Sequence, residues 1–195
     1  MEYPLINKGT GAGGSMTNIS GKSFEAKTDI EDNLLNLGFV KTTLNDTKCG
    51  YYLKKDYKDK SIVYVSQSGL KTYMKWKYDI DMFRCPDEAY IITYKRRKHV
   101  VIKILEKKAQ NGSGSVETKL WAGNSLKREY MLVLGDMFKV EYAFTLSSYL
   151  ENKMKSNHEK YNILYQILNE DSINVFYGDS PDYINTINNW IGTLV

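Results

Sequence analysis

Two segments of the chain carry charged side chains at the ends of apolar stretches that have the character of β-strands. Asp87 follows a proline just ahead of the apolar segment 89–94, and Glu106 and Lys108 end the apolar segment 99–108. Because side chains two residues apart on a strand point to the same face, Glu106 and Lys108 project together. A hairpin through the intervening charged residues brings Asp87 beside them. The sequence therefore predicts two carboxylates and one ammonium group on one patch of a sheet.

This combination of groups suits the hydrolysis of phosphodiesters, whose large barrier an enzyme must lower by many kcal/mol. Two carboxylates hold a hard divalent cation such as Mg²⁺ and leave coordination positions for water and phosphate. The metal makes hydroxide available, and a neighbouring lysine orients or deprotonates the water and stabilises the transition state. An isolated acid-x-lysine triplet is more often the solvated end of a strand, so the interpretation depends on the sequence around it.

The sequence around Glu106 resembles the second half of the PD-(D/E)XK nuclease signature. Residues 104–110 are Ile-Leu-Glu-Lys-Lys-Ala-Gln, and after a glycine-containing loop residues 114–120 are Gly-Ser-Val-Glu-Thr-Lys-Leu. Residues 86–91, Pro-Asp-Glu-Ala-Tyr-Ile, resemble the first half of the signature.

The N-terminal region adds to this resemblance. Its glycine-rich run at 11–18 and the following segment that ends at Glu25 are similar to the opening of such nucleases, where a helix glutamate approaches the metal site. The resemblance spans residues 9–38 and 83–123, which is under half of the chain. It implies an endonuclease that cuts double-stranded DNA, and the size suits a small type II restriction enzyme. A palindromic target would require a two-fold homodimer.

The resemblance also implies roles for five residues. It implies that Asp87 and Glu106 are ligands of Mg²⁺, for which Mn²⁺ would substitute. Lys108 would act on the attacking water. Glu25 would be an additional acid near the metal, and Gln110 would contact the metal-bound water or the DNA backbone.

Three alternatives remain open at the level of sequence. A repair or recombination nuclease of this type would recognise DNA structure rather than base sequence. A DNA-binding protein that had lost cleavage is disfavoured by the intact set Asp87, Glu106 and Lys108. A protein that interacts with no nucleic acid would fail to bind duplex DNA even at low salt.

Polar and basic residues outside this set are candidate contacts to DNA phosphates and bases. For the basic clusters, ordinary solvated turns or helix faces explain the pattern equally well. The candidates are Ser15, Asn18, Lys95, Arg96, Arg97, Asn111, Ser113, Ser115 and Lys119. Glu88, beside Asp87, is predicted to point to the opposite face of the strand and to have a structural role.

Composition and charge narrow the possible functions. The net charge of +4 and pI of about 8.8 are compatible with a polyanionic partner without demonstrating one. The two cysteines, Cys49 and Cys85, form neither a disulfide framework nor a zinc site. The isolated His99 and His158 disfavour histidine-metal nucleases and Ser-His-Asp hydrolases. A nucleotide cofactor is not expected, because a phosphate-binding loop around Gly21-Lys22-Ser23 would need glycine where Met16 stands.

The cellular location is predicted to be intracellular, in the cytoplasm of a bacterium or of a virus-infected cell. Two unpaired cysteines fit a reducing compartment. The first residues lack the apolar run of a signal peptide, and no stretch approaches the ~20 apolar residues of a membrane span. No association with a membrane is therefore expected.

The elements that must position these residues suggest an α/β fold with a mixed central β-sheet flanked by helices, as in the restriction-endonuclease-like core. We expect one nuclease domain, residues 1–195, in which 1–18 form a glycine-rich, flexible arm. Helices are predicted at 20–37, 115–130, 157–169 and from 181 onward, where apolar residues recur every three or four positions. Strands are predicted at 62–65, 72–76, 80–83, 89–94, 99–108, 131–134, 140–146 and 173–176.

Overall fold

The computed structural model describes residues 22–44, 50–110 and 116–193, and the described chain has an α/β fold. Within these residues seven strands form one mixed sheet, in which spatial order follows chain order. Strands β1 to β5 pair antiparallel, whereas β5, β6 and β7 are parallel neighbours. The strands are β1 (Val40–Thr43), β2 (Tyr51–Asp56), β3 (Lys60–Ser66), β4 (Glu88–Tyr94), β5 (Val100–Lys108), β6 (Phe138–Leu146) and β7 (Ile173–Tyr177).

Helices cover both faces of this sheet and confirm the predicted class of fold. The chain also contains a helical segment at 22–27, which is named α1. The other helices are α2 (Glu31–Asn36), α3 (Gly69–Tyr78), α4 (Val116–Trp121), α5 (Gly123–Leu134), α6 (Ser148–Met154), α7 (Glu159–Glu170) and α8 (Tyr183–Ile191). Parallel neighbours need a crossover connection, and α4 with α5, then α6 with α7, supply the two crossovers.

Strand β5 separates two hydrophobic cores because its side chains alternate between the faces of the sheet. Ile102 and Ile104 pack on one face with residues of α3 to α7, and this side is called the Glu106 face. Val101 and Leu105 pack on the other face with residues of α2 and α8, and this side is called the Lys107 face. A strand buried on both faces is expected to be mostly apolar, which explains why five of the six residues from Val100 to Leu105 are apolar and Lys103 is the exception.

The hairpin predicted from residues 89–94 and 99–108 is confirmed. Strands β4 and β5 pair from Glu88 opposite Leu105 to Thr93 opposite Val100, and the charged residues 95–98 lie in the connection. This register places Asp87, one residue before β4, opposite Glu106.

Three predicted strands, at 72–76, 80–83 and 131–134, are wrong. Residues 72–76 belong to helix α3, whose buried residues Leu70, Tyr73 and Met74 have helical spacing. The β-prone side chains of this segment were outweighed by that tertiary packing. Residues 80–83 lie in an irregular segment, in which Met82 is buried and Phe83 is exposed.

Other boundaries also differ from the prediction. The helix predicted at 20–37 is divided into α1 and α2 near Thr28, whose hydroxyl donates to the carbonyl oxygen of Phe24 at 2.7 Å. The helix predicted at 115–130 is divided into α4 and α5 at Ala122, and α5 continues through 131–134, where a strand was expected. Helix α6 was not predicted. The expected arm at 1–18 lies outside the described residues.

None of the helices in the described parts of the chain combines the length and the hydropathy that crossing a bilayer requires.

Candidate active site

The carboxyl end of β5 and the residue that precedes β4 bring Asp87, Glu106 and Lys108 together. The ammonium nitrogen of Lys108 lies 2.6 Å from Glu106 Oε2 and 3.5 Å from Asp87 Oδ2. Alternation along β5 places Glu106 and Lys108 on the same face, and the β4–β5 register supplies Asp87 from the neighbouring strand. The patch of two carboxylates and one ammonium group that the sequence predicts is therefore present.

Asp87 is fixed at this position by backbone groups on both sides. Its Oδ2 accepts a hydrogen bond of 2.5 Å from the backbone N–H of Lys107, in β5. Its carbonyl oxygen accepts one of 3.2 Å from the backbone N–H of Gln67, just beyond β3. The carboxylate of Asp87 is thus tied to the end of β5.

The side chains of Glu106 and Lys108 are largely buried, and this burial shifts their pKa values. Burial raises the pKa of Glu106, against the opposing effect of Lys108. Burial alone would lower the pKa of Lys108, but attraction to Glu106 and Asp87 and hydrogen bonds with both carboxylates raise it above its ordinary value. The resting site therefore keeps a positively charged ammonium group between its two acids.

On the opposite face, Glu88 and Lys107 form a buried ion pair. Their side chains are 2% and 4% exposed, and Lys107 Nζ lies 2.6 Å from Glu88 Oε1. The hydroxyl of Tyr90 donates to the second oxygen of Glu88. Burial raises the pKa of Glu88, and Lys107 opposes that rise. The prediction that Glu88 points away from the face of Glu106 is confirmed.

Glu25 approaches the site from the Lys107 face. Its carbonyl oxygen accepts a 3.3 Å hydrogen bond from Lys107 Nζ, and its half-buried side chain lines a cleft together with Asp29, Asp87 and Glu88. The structure thus places Glu25 beside Asp87, on the other side of the sheet from Glu106.

Gln110 lies two residues beyond the end of β5 and is buried. Its backbone N–H donates to Ser147 Oγ, and its carbonyl oxygen accepts from the same hydroxyl, both at 3.2 Å. These bonds join the end of β5 to the residue that follows β6. The backbone of Gln110 therefore fixes the residues just beyond β5 against the end of β6.

A cleft on the Glu106 face opens beside the site and carries a surplus of cationic side chains. It has a volume of about 490 Å³. Besides Glu106 and Lys108, its charged lining consists of Lys71, Arg84 and Lys119. Arg84 Nε also donates to Glu129 Oε2 at 2.8 Å. This cleft, called the Glu106-face cleft, suits a polyanion that approaches Glu106 and Lys108, whereas Asp87 lines the cleft on the Lys107 face.

Two of these cations, Lys71 and Arg84, were missed by sequence reasoning. Lys71 belongs to α3, part of which was predicted to be a strand, and Arg84 belongs to an irregular segment. Lys119, a predicted DNA contact, does line the cleft. A helical interpretation of 69–78 would have placed Lys71 on a helix, although its approach to β5 depends on tertiary packing.

Other candidate DNA contacts are not gathered at the site. Lys95, Arg96 and Arg97 lie in the β4–β5 connection, eight or more residues from Asp87 along an extended strand. At roughly 3.3 Å per residue, this separation is roughly 26 Å. The remaining candidates, Ser15, Asn18, Asn111, Ser113 and Ser115, lie outside the described residues.

The donor set fits Mg²⁺ in its chemistry. In the described residues no group of three or more histidine, cysteine, aspartate or glutamate side chains is arranged to hold a metal ion. Mg²⁺ commonly uses only one or two carboxylates and completes its shell with water and phosphate oxygen. Asp87 and Glu106 supply those two carboxylates, and a cation already stands between them in the form of Lys108 Nζ.

Comparison of the chain with protein-family models, with curated proteins and with solved structures gave no significant match.

Proposed function

We propose that the chain is a Mg²⁺-dependent endonuclease, similar to the PD-(D/E)XK superfamily, that hydrolyses phosphodiester bonds of double-stranded DNA. The observation that carries the proposal is the position of Lys108 Nζ, 2.6 Å from Glu106 Oε2 and 3.5 Å from Asp87 Oδ2. Glu106 and Lys108 line the Glu106-face cleft, in which the other charged side chains are cationic. Acids that hold a metal and cations that hold phosphate are the two requirements of the reaction.

Each residue of the site then has a defined task. Asp87 and Glu106 would hold the metal, with Mn²⁺ as a substitute for Mg²⁺. When bound, the metal supplies a water of lowered pKa and neutralises charge on the phosphate. The ammonium group of Lys108 orients the attacking water and stabilises the negative charge that develops on the phosphoryl oxygens.

The Glu106-face cleft supplies contacts to the DNA backbone. Lys71, Arg84 and Lys119 line it from three separate segments of the chain, so that they can contact phosphates on either side of the scissile bond. Such contacts orient the duplex but carry no base specificity. Their energy depends strongly on salt because binding releases counterions from DNA.

Digestion of a plasmid by the purified protein tests this proposal. We expect cleavage with Mg²⁺ or Mn²⁺ and none with EDTA. Asp87→Ala and Lys108→Ala should abolish cleavage and retain DNA binding, because the cleft outside the triad is unchanged. Full cleavage by either variant would contradict the assignment of the site.

The products also separate the possible classes of nuclease. Discrete bands, with one sequence at the cut ends, support a type II site-specific enzyme. Smears, or preference for branched DNA, support a repair or recombination nuclease. Binding of duplex DNA without cutting supports a DNA-binding protein, and absence of binding at low salt excludes all three.

A homodimer is part of the proposal for a palindromic target. Two copies related by a two-fold axis would each cut one strand. Light scattering of the protein bound to its target duplex should give two chains per duplex. One chain per cleaved duplex would contradict this part of the proposal.

A further inference from the structure

The side chain of Lys107 is buried next to the site and contacts two other elements of the fold. Its Nζ lies 2.6 Å from Glu88 Oε1, at the start of β4, and donates to the carbonyl oxygen of Glu25, in α1, at 3.3 Å. Its backbone N–H donates to Asp87 Oδ2. One residue thus links the end of β5 to two of the acids assigned to the site and to the segments that carry them.

We propose that Lys107 is a positioning residue that fixes α1 and Asp87 relative to Glu106 and Lys108, an inference that rests on the proposed function. Lys107 stands between Glu106 and Lys108 in the chain, so a shift of its backbone displaces both. Its ammonium group cannot follow such a shift without leaving Glu88 as an unpaired buried charge, which is costly in the protein interior. The ion pair therefore restricts movement of this end of β5 against β4 and α1.

Stability alone does not require charges at these two positions. Replacing a buried ion pair by apolar side chains of similar volume often leaves a protein equally or more stable. What an apolar pair cannot supply is the directed hydrogen bond from Lys107 to the carbonyl oxygen of Glu25 and an acceptor for the buried hydroxyl of Tyr90. The effects of the pair on folding and on the geometry of the site can therefore be measured separately.

The chain offers a matched control on the same face of the same strand. Lys103, four residues before Lys107, lies 2.6 Å from Glu141 Oε2 and donates to the carbonyl oxygen of Trp190 at 2.6 Å. It thus has a carboxylate and a backbone carbonyl as partners, as Lys107 has, but Glu141 is 30% exposed whereas Glu88 is 2% exposed. Its partners belong to β6 and α8 rather than to the segments that carry the site.

The experiment compares two double variants, Lys107→Met/Glu88→Leu and Lys103→Met/Glu141→Leu, with the wild type. Thermal unfolding first verifies that both are folded, and Lys107→Met alone should have a lower Tm than the double variant because it leaves Glu88 unpaired. Single-turnover cleavage of duplex DNA and the KM for DNA are then measured. Hydrogen exchange of the backbone amides of residues 22–30 reports on α1 independently of activity.

We expect the Lys107/Glu88 double variant to cleave roughly 100-fold more slowly, because displacements of about 1 Å have effects of this size. The KM of this double variant for DNA should stay within about threefold of the wild-type value, and its α1 amides should exchange faster. The single variant Lys107→Arg, which keeps the positive charge beside Glu88, should cleave faster than the double variant and more slowly than the wild type. The Lys103/Glu141 variant should cleave at the wild-type rate.

Wild-type cleavage by a stable Lys107/Glu88 double variant would overturn the positioning role, and so would unchanged exchange in residues 22–30. If the wild-type protein itself cuts no DNA, the proposed function fails, and the exchange measurement still decides whether Lys107 fixes α1.

Discussion

Gly178, in the segment that follows β7, offers a way to move α1 without changing any charged group. A Cβ atom at this position would lie 2.6 Å from Phe24 Cζ and 2.6 Å from Thr28 Cγ2. Favourable carbon–carbon contacts begin at about 3.5 Å, so Gly178→Ala must displace these groups by about 1 Å. Thr28 cannot rotate its methyl group away without breaking the hydrogen bond from its hydroxyl to the carbonyl oxygen of Phe24. The substitution is therefore expected to push α1, and Glu25 with it, outward.

The expected magnitudes follow from that displacement. Overpacking of this kind costs about 1–3 kcal/mol in the free energy of unfolding. A movement of about 1 Å at a catalytic site lowers the rate by roughly 100-fold. Denaturant titration measures the first quantity, and single-turnover cleavage of duplex DNA with saturating Mg²⁺ measures the second.

A control variant separates loss of stability from loss of geometry. Leu134 is buried at the end of α5, next to the beginning of β6 and at the end of the sheet opposite the site. Leu134→Ala should cost about 2–5 kcal/mol and leave the cleavage rate of the folded protein unchanged. Wild-type cleavage by a destabilised Gly178→Ala variant would refute the reasoning, because the position of α1 would then have no bearing on the reaction.

Three further predictions concern charge. Asp179 accepts hydrogen bonds from Lys27 and from the backbone N–H of Ser148, and these lower its pKa against the effect of partial burial. Its stabilisation should be complete above the ordinary aspartate pKa of about 3.9 and disappear as the pH falls through the lowered value. In denaturant titrations Asp179→Asn should therefore lose about 1 kcal/mol at pH 7 and progressively less as the pH falls below about 3.9. Lys119→Ala should weaken DNA binding and reduce the slope of log K against log salt by about 0.9, which binding isotherms at several salt concentrations would reveal. Arg97→Ala, remote from the site, should leave the cleavage rate unchanged, and a rate loss there would show that DNA extends to the β4–β5 connection.

Strand β5 and its partner could be predicted from the sequence because local pattern decides them. The run from Val100 to Leu105 is apolar on both faces except for Lys103, as burial between two helical layers favours, and consecutive charged residues begin where the strand reaches the site. Alternation then assigns Glu106 and Lys108 to one face and Lys107 to the other, without information from the rest of the chain.

The surroundings of the site could not be predicted because they depend on packing between residues that are far apart in the sequence. Lys71 and Arg84 reach the Glu106-face cleft from segments whose secondary structure was predicted wrongly. The sequence places Glu88 on the Lys107 face but does not show that Lys107 and Tyr90 are its partners there. Such contacts arise from the register of β4 against β5 and from the position of α1, which no local pattern encodes.

The most direct test of the account is the effect of Glu106→Gln on cleavage. This substitution keeps the size of the side chain and removes the charge that is assigned to holding the metal. The account predicts that single-turnover cleavage of duplex DNA in Mg²⁺ falls by at least about 100-fold, while DNA binding in the absence of divalent metal is retained. Cleavage by the folded variant at the wild-type rate would contradict the account, because Glu106 would then have no part in the reaction.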